Sequence, residues 1–291
     1  MKNYFEILLF TLMSLFWALN FLLVKVVVNY ENVFYVLFFR ILFALLISII
    51  LFPKSFVWKS SYKVHIKFFV LSLLNIVIFM EFWFMGEMVE SASLSSIIIY
   101  SYPILNVLLS IIILNEKITK LNFFGSILGL IGIILIFFEE FTIYTFLGLI
   151  FLIVSAFGWA LGAIFYKKYM SNIELISVNT MQFLYSLPIT FLVAIFSGPL
   201  VLKNLNLEFF TIVIYMGTLG TSIAMLIYLY FLKKYNVSRI SPYLFLVPIL
   251  SVLLSVLILH EKIAFINYFG ILFVIVGIYL SQIKKESIYH K

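Results

Sequence analysis

Asn115–Leu135 reads NEKITKLNFFGSILGLIGIIL, and His260–Leu280 reads HEKIAFINYFGILFVIVGIYL. The second stretch follows the first by 145 residues, half of the 291-residue chain. Extended back to Ser91 and Asn236, the gapless alignment keeps 20 identities in 45 positions, among them Pro103/Pro248, Glu116/Glu261, Asn122/Asn267, Gly125/Gly270 and Gly132/Gly277. The starts of the two halves also match, at an offset of 142: Trp17-Ala18-Leu19-Asn20 recurs as Trp159-Ala160-Leu161-Gly162, and Lys25 as Lys167. The chain is an internal duplication, and each half must be read in the light of the other.

Composition sets the solvent. The chain is 65% hydrophobic and 11% charged, with mean hydropathy +1.22, where a soluble domain carries about 25% charged residues. Apolar runs near the ~20-residue spanning length follow one another. They are continuous rather than alternating, which speaks against a transmembrane barrel. Ten spans are expected, at about 4–28, 33–52, 66–86, 91–114, 121–138, 145–166, 175–197, 209–232, 239–259 and 265–283. The first is longer than a signal-peptide core and no small-residue cleavage motif follows it. Pro53, Gly198-Pro199 and the polar turn Asn29-Tyr30-Glu31-Asn32 punctuate the series.

Charge placement orients the spans. With the N-terminus inside, inside loops hold 15 of the 19 Lys and Arg, the outside loops keep Lys203 and Lys262, and Lys25 and Arg40 fall within spans. Lys and Arg collect in cytoplasmic loops, so both termini are expected in the cytoplasm. The net charge of +7 therefore reports topology, not nucleic-acid binding. Ten spans in two repeats put five in each half, residues 1–140 and 141–291. An odd number inverts the second half. The expected fold is thus an all-α membrane protein of two inverted-topology five-helix repeats, an architecture suited to alternating access.

Several motifs, in order, resemble the drug/metabolite transporter superfamily, and within it the EamA-type ten-helix exporters. They are Trp17-Ala18-Leu19-Asn20-Phe21 followed by Lys25, Phe39-Arg40, Ser91-Ala92-Ser93, Ser101-Tyr102-Pro103 and Asn115-Glu116-Lys117. The second half answers with Ser238-Arg239-Ile240-Ser241-Pro242, Pro248 and His260-Glu261-Lys262. The resemblance implies export of small metabolites, amino acids or amphipathic compounds. Two departures stand out. The family usually has Gly before the Glu, where this chain has Asn115 and His260, and Glu81 is no part of the family pattern.

Substrate sites of inverted-repeat carriers sit near the bilayer midplane at the repeat interface. The candidates are Trp17 and Asn20 in helix 1, Asn75 in helix 3, Ser96 and Tyr100 in helix 4, Trp159 in helix 6, Gln182 in helix 7, and Ser241 and Phe245 in helix 9. Ser93, Ser238, Asn179 and Ser186 share their helix faces. The bland alternative for the amides and hydroxyls is hydrogen bonding between neighbouring helices, at about 0.6 kcal/mol each. Together they describe a cavity for substrates with an apolar body and a polar handle. Arg40 and Glu81 lie at similar depths, about 10 Å and 8 Å inside the outer ends of helices 2 and 3. An ion pair between them would serve as a gate or couple transport to protons, or would be a static bridge. Pro103 and Pro248 are hinges or fixed kinks. Glu116 and Glu261, just before helices 5 and 10, are expected to cap those helices. The Gly125-x-x-x-Gly129 and Gly158-x-x-x-Gly162 spacings allow close helix approach, within one chain or between two, so a monomer or a homodimer is expected.

The chain has no Asp, no Cys and three His. With no His-Glu-x-x-His motif, intramembrane aspartyl, metal or thiol catalysis has no residues to work with. No Walker-A sequence is present. A secondary-active carrier of small molecules, with no cofactor and with proton or ion coupling open, is the leading expectation. A nucleotide-sugar or sugar-phosphate carrier is the alternative, but such anions call for several buried cations. A non-transporting scaffold is more distant. Abundant Phe, Ile, Lys, Asn and Tyr point to an A/T-rich microbial genome and a prokaryotic plasma membrane.

Overall fold

The computed structural model describes residues 3–27, 30–57, 59–138, 143–201, 205–260 and 264–283, apart from the side chains at 25, 92, 93 and 259. Among these residues the chain is helical, with no strand. The helices are α1 (Tyr4–Val27), α2 (Val33–Leu51), α3 (Tyr62–Glu87), α4 (Leu94–Leu114), α5 (Lys120–Ile136), α6 (Phe146–Tyr169), α7 (Leu175–Phe196), α8 (Leu207–Lys234), α9 (Val237–Ile258) and α10 (Phe265–Gln282). Nine of them are long and apolar enough to cross a membrane. The exception is α5, whose 17 residues extend only about 25 Å against a hydrocarbon core of about 30 Å. It starts late because Thr119 caps it, accepting from the Asn122 N–H.

Local chemistry fixes the other ends in the same way. Asn32, Ser91, Thr145 and Asn206 each accept a backbone N–H in the first turn of the helix that follows. Asn115 and His260 end their helices in the left-handed region, at φ 55° and 54°. This is why glycine is usual at that place, and Asn is the residue that tolerates it next best. Helices α4 and α9 each break and restart. The break in α4 falls at Tyr100–Ser101, and α9 narrows to a 3-10 turn at Ser241–Phe245. Pro103 and Pro248 lie in the first turn after these breaks. Pro103, at the very start, removes no helical hydrogen bond. The proline inside a continuous helix is Pro188 in α7.

The halves meet reciprocally. A Cβ on Gly125 would touch the Gly277 carbonyl at 2.5 Å, and one on Gly132 would touch the Gly270 carbonyl at 2.6 Å. Gly270 is the repeat equivalent of Gly125, and Gly277 of Gly132, so each contact is the other with the halves exchanged. The rising register on α5 meets a falling one on α10, so the two helices run antiparallel. Side chains obey the same exchange. Asn122 Nδ2 donates to the Ser281 carbonyl at 3.1 Å, and Asn267 Nδ2 to the Ile136 carbonyl at 2.5 Å. Elsewhere α1 packs on α8 and α9 as α6 packs on α3 and α4, and α2 lies against α7. The two Gly-x-x-x-Gly spacings serve contacts within the chain. Gly129 receives the ring of Phe245, and Gly158 the side chain of Ile78.

Glu116 does not cap its own helix. It accepts from the backbone N–H groups of Val237 and Ser238 at 2.9 and 3.0 Å and from Ser238 Oγ at 2.6 Å, at the start of α9 in the other half. The α5 N-terminus is already served by Thr119, so the carboxylate is free to cross over. Glu261 lies outside the described residues. Glu90 does similar work for α6, accepting from the N–H groups of Tyr144 and Thr145. Burial pushes the Glu90 carboxyl up, but these bonds outweigh it and hold it below the usual carboxylate range.

Gly277→Ala should force α5 and α10 apart, because its Cβ would meet the Gly125 carbonyl oxygen at 2.6 Å and the Gly129 nitrogen at 2.7 Å. Backbone cannot rotate away as a side chain can, so a cost of about 1–3 kcal/mol is expected. It is measurable as a lower melting temperature in detergent. An unchanged midpoint would contradict this contact.

Candidate functional site

Two π-helical segments lie at the centre. One is Leu73–Glu81 in α3, and the other is Thr218–Ile223 in α8, starting 145 residues later. Such segments leave the backbone underwound and recur at functional sites. In α8 the Thr221 hydroxyl donates to the Met216 carbonyl at 2.7 Å and compensates the loosened ladder. Phe79 and Met80 come from the first segment, and Gly220 and Thr221 from the second. All four line a cavity of about 50 Å³. That is room for a few waters.

Seven of the fifteen lining residues are aromatic. Trp17 and Trp159, repeat equivalents, meet edge to face at 5.7 Å. Tyr228 packs on both, at 5.5 and 5.3 Å. Phe79 lies 4.5 Å from Trp159, and Phe21 lies 5.1 Å from Trp83 and 5.4 Å from Tyr100. The Tyr100 hydroxyl and the Trp159 Nε1 are buried without a hydrogen-bond partner among the described residues.

One corner of the cavity is polar. Arg40 is 2% exposed, and its Nε donates to Thr221 Oγ1 at 2.6 Å. With its amide oxygen turned toward the guanidinium, Asn20 accepts from Nη2 at 2.7 Å and from Nη1 at 3.3 Å. Asn20 in turn rests against Gly220, where a Cβ would come within 2.9 Å of the amide.

A matching knot, with the roles of the halves exchanged, lies away from the cavity. Asn75 Nδ2 donates to Gln182 Oε1 at 3.1 Å, Gln182 Nε2 to Asn179 Oδ1 at 3.2 Å, and Asn179 Nδ2 to the Ser222 carbonyl at 3.1 Å. Asn75 sits over Gly162, which has no room for a Cβ. The pairings exchange cleanly. Gly162 is the equivalent of Asn20, and Gly220 of Asn75. Gln182 is the equivalent of Arg40 at the offset of 142 that also relates the starts of α2 and α7.

Of the sequence candidates, Trp17, Asn20, Arg40, Tyr100 and Trp159 come together around the cavity. Asn75 and Gln182 belong to the second knot. Ser96 is half-buried in α4 and does not line the cavity. Ser241 Oγ donates to the Val237 carbonyl, and Phe245 is used on Gly129 of α5. Pro103 and Pro248 are buried at the helix restarts. The expected Arg40–Glu81 ion pair does not form. Arg40 turns to α1 and α8, while Phe79, Met80 and Trp83 take the cavity face of α3 and leave Glu81 on another. Both Glu81 oxygens are buried without a hydrogen-bond partner among the described residues. The side chains of Lys25 and Ser93 lie outside the description. Lys167 caps α8, donating to the carbonyls of Leu232 and Tyr235 at 2.8 and 2.9 Å.

Thr221, Trp83 and Tyr102 were missed by the sequence reading. The run Gly217-x-x-Gly220-Thr221-Ser222 interrupts an otherwise apolar helix, and that was the available signal for α8.

The EamA-like transporter family model matches residues 4–138 and again 146–282. An uncharacterized transporter from Archaeoglobus fulgidus is 28% identical over 276 residues, covering 93% of this chain and 96% of that protein. A probable amino-acid metabolite efflux pump from Escherichia coli is 23% identical over 200 residues, covering 65% of this chain and 67% of that protein. A solved crystal structure superposes with a TM-score of 0.81 at 15% identity, covering 96% of this chain and 97% of that one; it is similar in fold.

Gln182→Leu should strand the amides of Asn75 and Asn179 in an apolar interior. A buried group without its partner costs about 1–3 kcal/mol, so the melting temperature should drop clearly. A variant as stable as the parent would show that the amide chain is dispensable.

Proposed function

The chain belongs to the EamA-like transporter family, and from that premise we propose that it is a secondary-active exporter of amino acids or small amphipathic metabolites, working by alternating access. It is a multi-pass membrane transporter and not an enzyme. In this reading ten crossings form two inverted five-helix repeats, with both termini in the cytoplasm of a prokaryotic cell. The lopsided placement of Lys and Arg and the antiparallel, reciprocal contact of α5 with α10 support that topology.

The observation that carries the reading is the position of the cavity. It lies where Trp17 and Trp159, the same residue of the two halves, face each other. A site on the axis relating two inverted halves can be opened by either. Its volume is small against the several hundred Å³ of a ligand pocket, so a substrate enters only as the halves part. Glu81 has the place of a coupling group, since an ionisable residue inside the membrane marks ion or proton pathways.

The test is efflux from loaded proteoliposomes, scanning amino acids and amphipathic amines with and without a pH gradient. Flux of at least one class is expected, and Trp159→Ala should cut it at least about tenfold, the loss of roughly 1.4 kcal/mol or more of aromatic contact. Absence of flux for every compound under both conditions would contradict the reading. For coupling, Glu81→Gln should flatten the dependence of flux on pH. An unchanged pH profile removes Glu81 from any proton role.

A further inference from the structure

The charge of Arg40 is not balanced by the residues described around it. Its partners, Thr221 Oγ1 and the Asn20 amide oxygen, are both neutral. No carboxylate lies within 4.0 Å of it among the described residues, and the nearest in expectation, Glu81, is turned elsewhere. A guanidinium carries five N–H donors, and three contacts to protein acceptors are made here. One donor on each Nη is left without a protein acceptor among the described residues, and Arg40 lines the cavity. A buried cation without a counter-ion is costly in a membrane protein.

The duplication supplies the control. At the repeat-equivalent position stands Gln182, buried, with its amide oxygen bonded to Asn75 and its amide nitrogen to Asn179. A neutral amide therefore meets the packing and hydrogen-bonding needs of this place in the fold. The half that keeps the charge is the half whose residue lines the cavity.

We propose that Arg40 is the anchor for a carboxylate carried by the substrate, so that the cavity selects amphipathic monocarboxylates over amines of the same shape. A carboxylate oxygen takes one of the remaining N–H donors, which lie on opposite edges of the guanidinium, and supplies the missing negative charge. The apolar body of the molecule then lies among Trp17, Phe79 and Trp159. An ammonium group finds no acidic side chain in the lining and meets the like charge of Arg40. A phosphate ester, with its greater charge, would find a single cation among the described lining residues. This inference rests on the transport reading only for the direction of use, since binding alone can test it.

Three probes with one body separate the possibilities: 3-phenylpropionate, 3-phenylpropionamide and 3-phenylpropylamine. Binding to the full chain in nanodiscs is read by quenching of tryptophan fluorescence, and flux is read separately in proteoliposomes. The carboxylate should bind at least about tenfold more tightly than the amide or the amine, as expected for a charge-assisted pair. Arg40→Gln, which copies the other repeat, should fold with a near-parental melting temperature and bring the carboxylate-to-amide ratio close to one. Arg40→Lys keeps the charge and should retain part of the preference. Equal binding of the amine by the parent, an intact carboxylate preference in Arg40→Gln, or no binding of any probe would overturn the assignment. Carboxylate binding without flux would keep the assignment and remove the transport reading. Flux that Arg40→Gln leaves unchanged would do the reverse.

Discussion

A polar group that leaves water inside a bilayer must find its partner within the protein. The arrangement of this chain follows from that constraint. Asn122 and Asn267 spend their amides on carbonyls at the far ends of α10 and α5. Glu116 reaches across the repeats to the free N–H groups of α9, and Glu90 to those of Tyr144 and Thr145, just before α6. Lys167 serves the carbonyls that α8 leaves unpaired. Each such bond ties a helix end to another part of the chain, so satisfying the backbone and assembling the bundle are one process.

The same constraint makes the centre of the molecule legible. Two underwound segments, one from each half, bring Asn75 and Gly220 to equivalent places. Each is opposed by its complement, glycine to asparagine, so that one amide fills the space that the other leaves. The second knot is closed and neutral. The first is completed by Arg40 and opens onto the aromatic cavity. Near-symmetry thus provides a frame in which a single departure, Arg40 for Gln182, becomes informative.

Much of this could be read from the residues. The 145-residue repeat marks the duplicated helices and their equivalent small residues, Gly125/Gly270 and Gly132/Gly277, but not that α5 and α10 pack on each other. The repeated Trp-Ala-Leu motif marks Trp17 and Trp159 as equivalent candidates for the cavity; their contact is a feature of the structure. What failed was azimuth. A sequence gives depth along a helix to within a turn, and by depth Arg40 and Glu81 should meet. The π segment in α3 shifts the faces of the residues that follow, and periodicity assuming 3.6 residues per turn cannot see it. Partner choice across the repeats was hidden for a related reason. Glu116 was assigned to the nearest helix start in sequence, when Thr119 already occupied it. Ser96 and Ser241 were read as equivalent site residues on spacing alone, and both are used elsewhere.

The transport reading depends on the halves being inverted across the membrane, because only then can the shared cavity face either side. The chain has no cysteine, so single cysteines report sidedness without a background. Lys120 and Phe265 are equivalent, exposed first residues of α5 and α10. In intact cells a membrane-impermeant thiol reagent should label Phe265→Cys at once and Lys120→Cys only after permeabilisation. Labelling of both from the same side would contradict the inverted repeat and the account built on it.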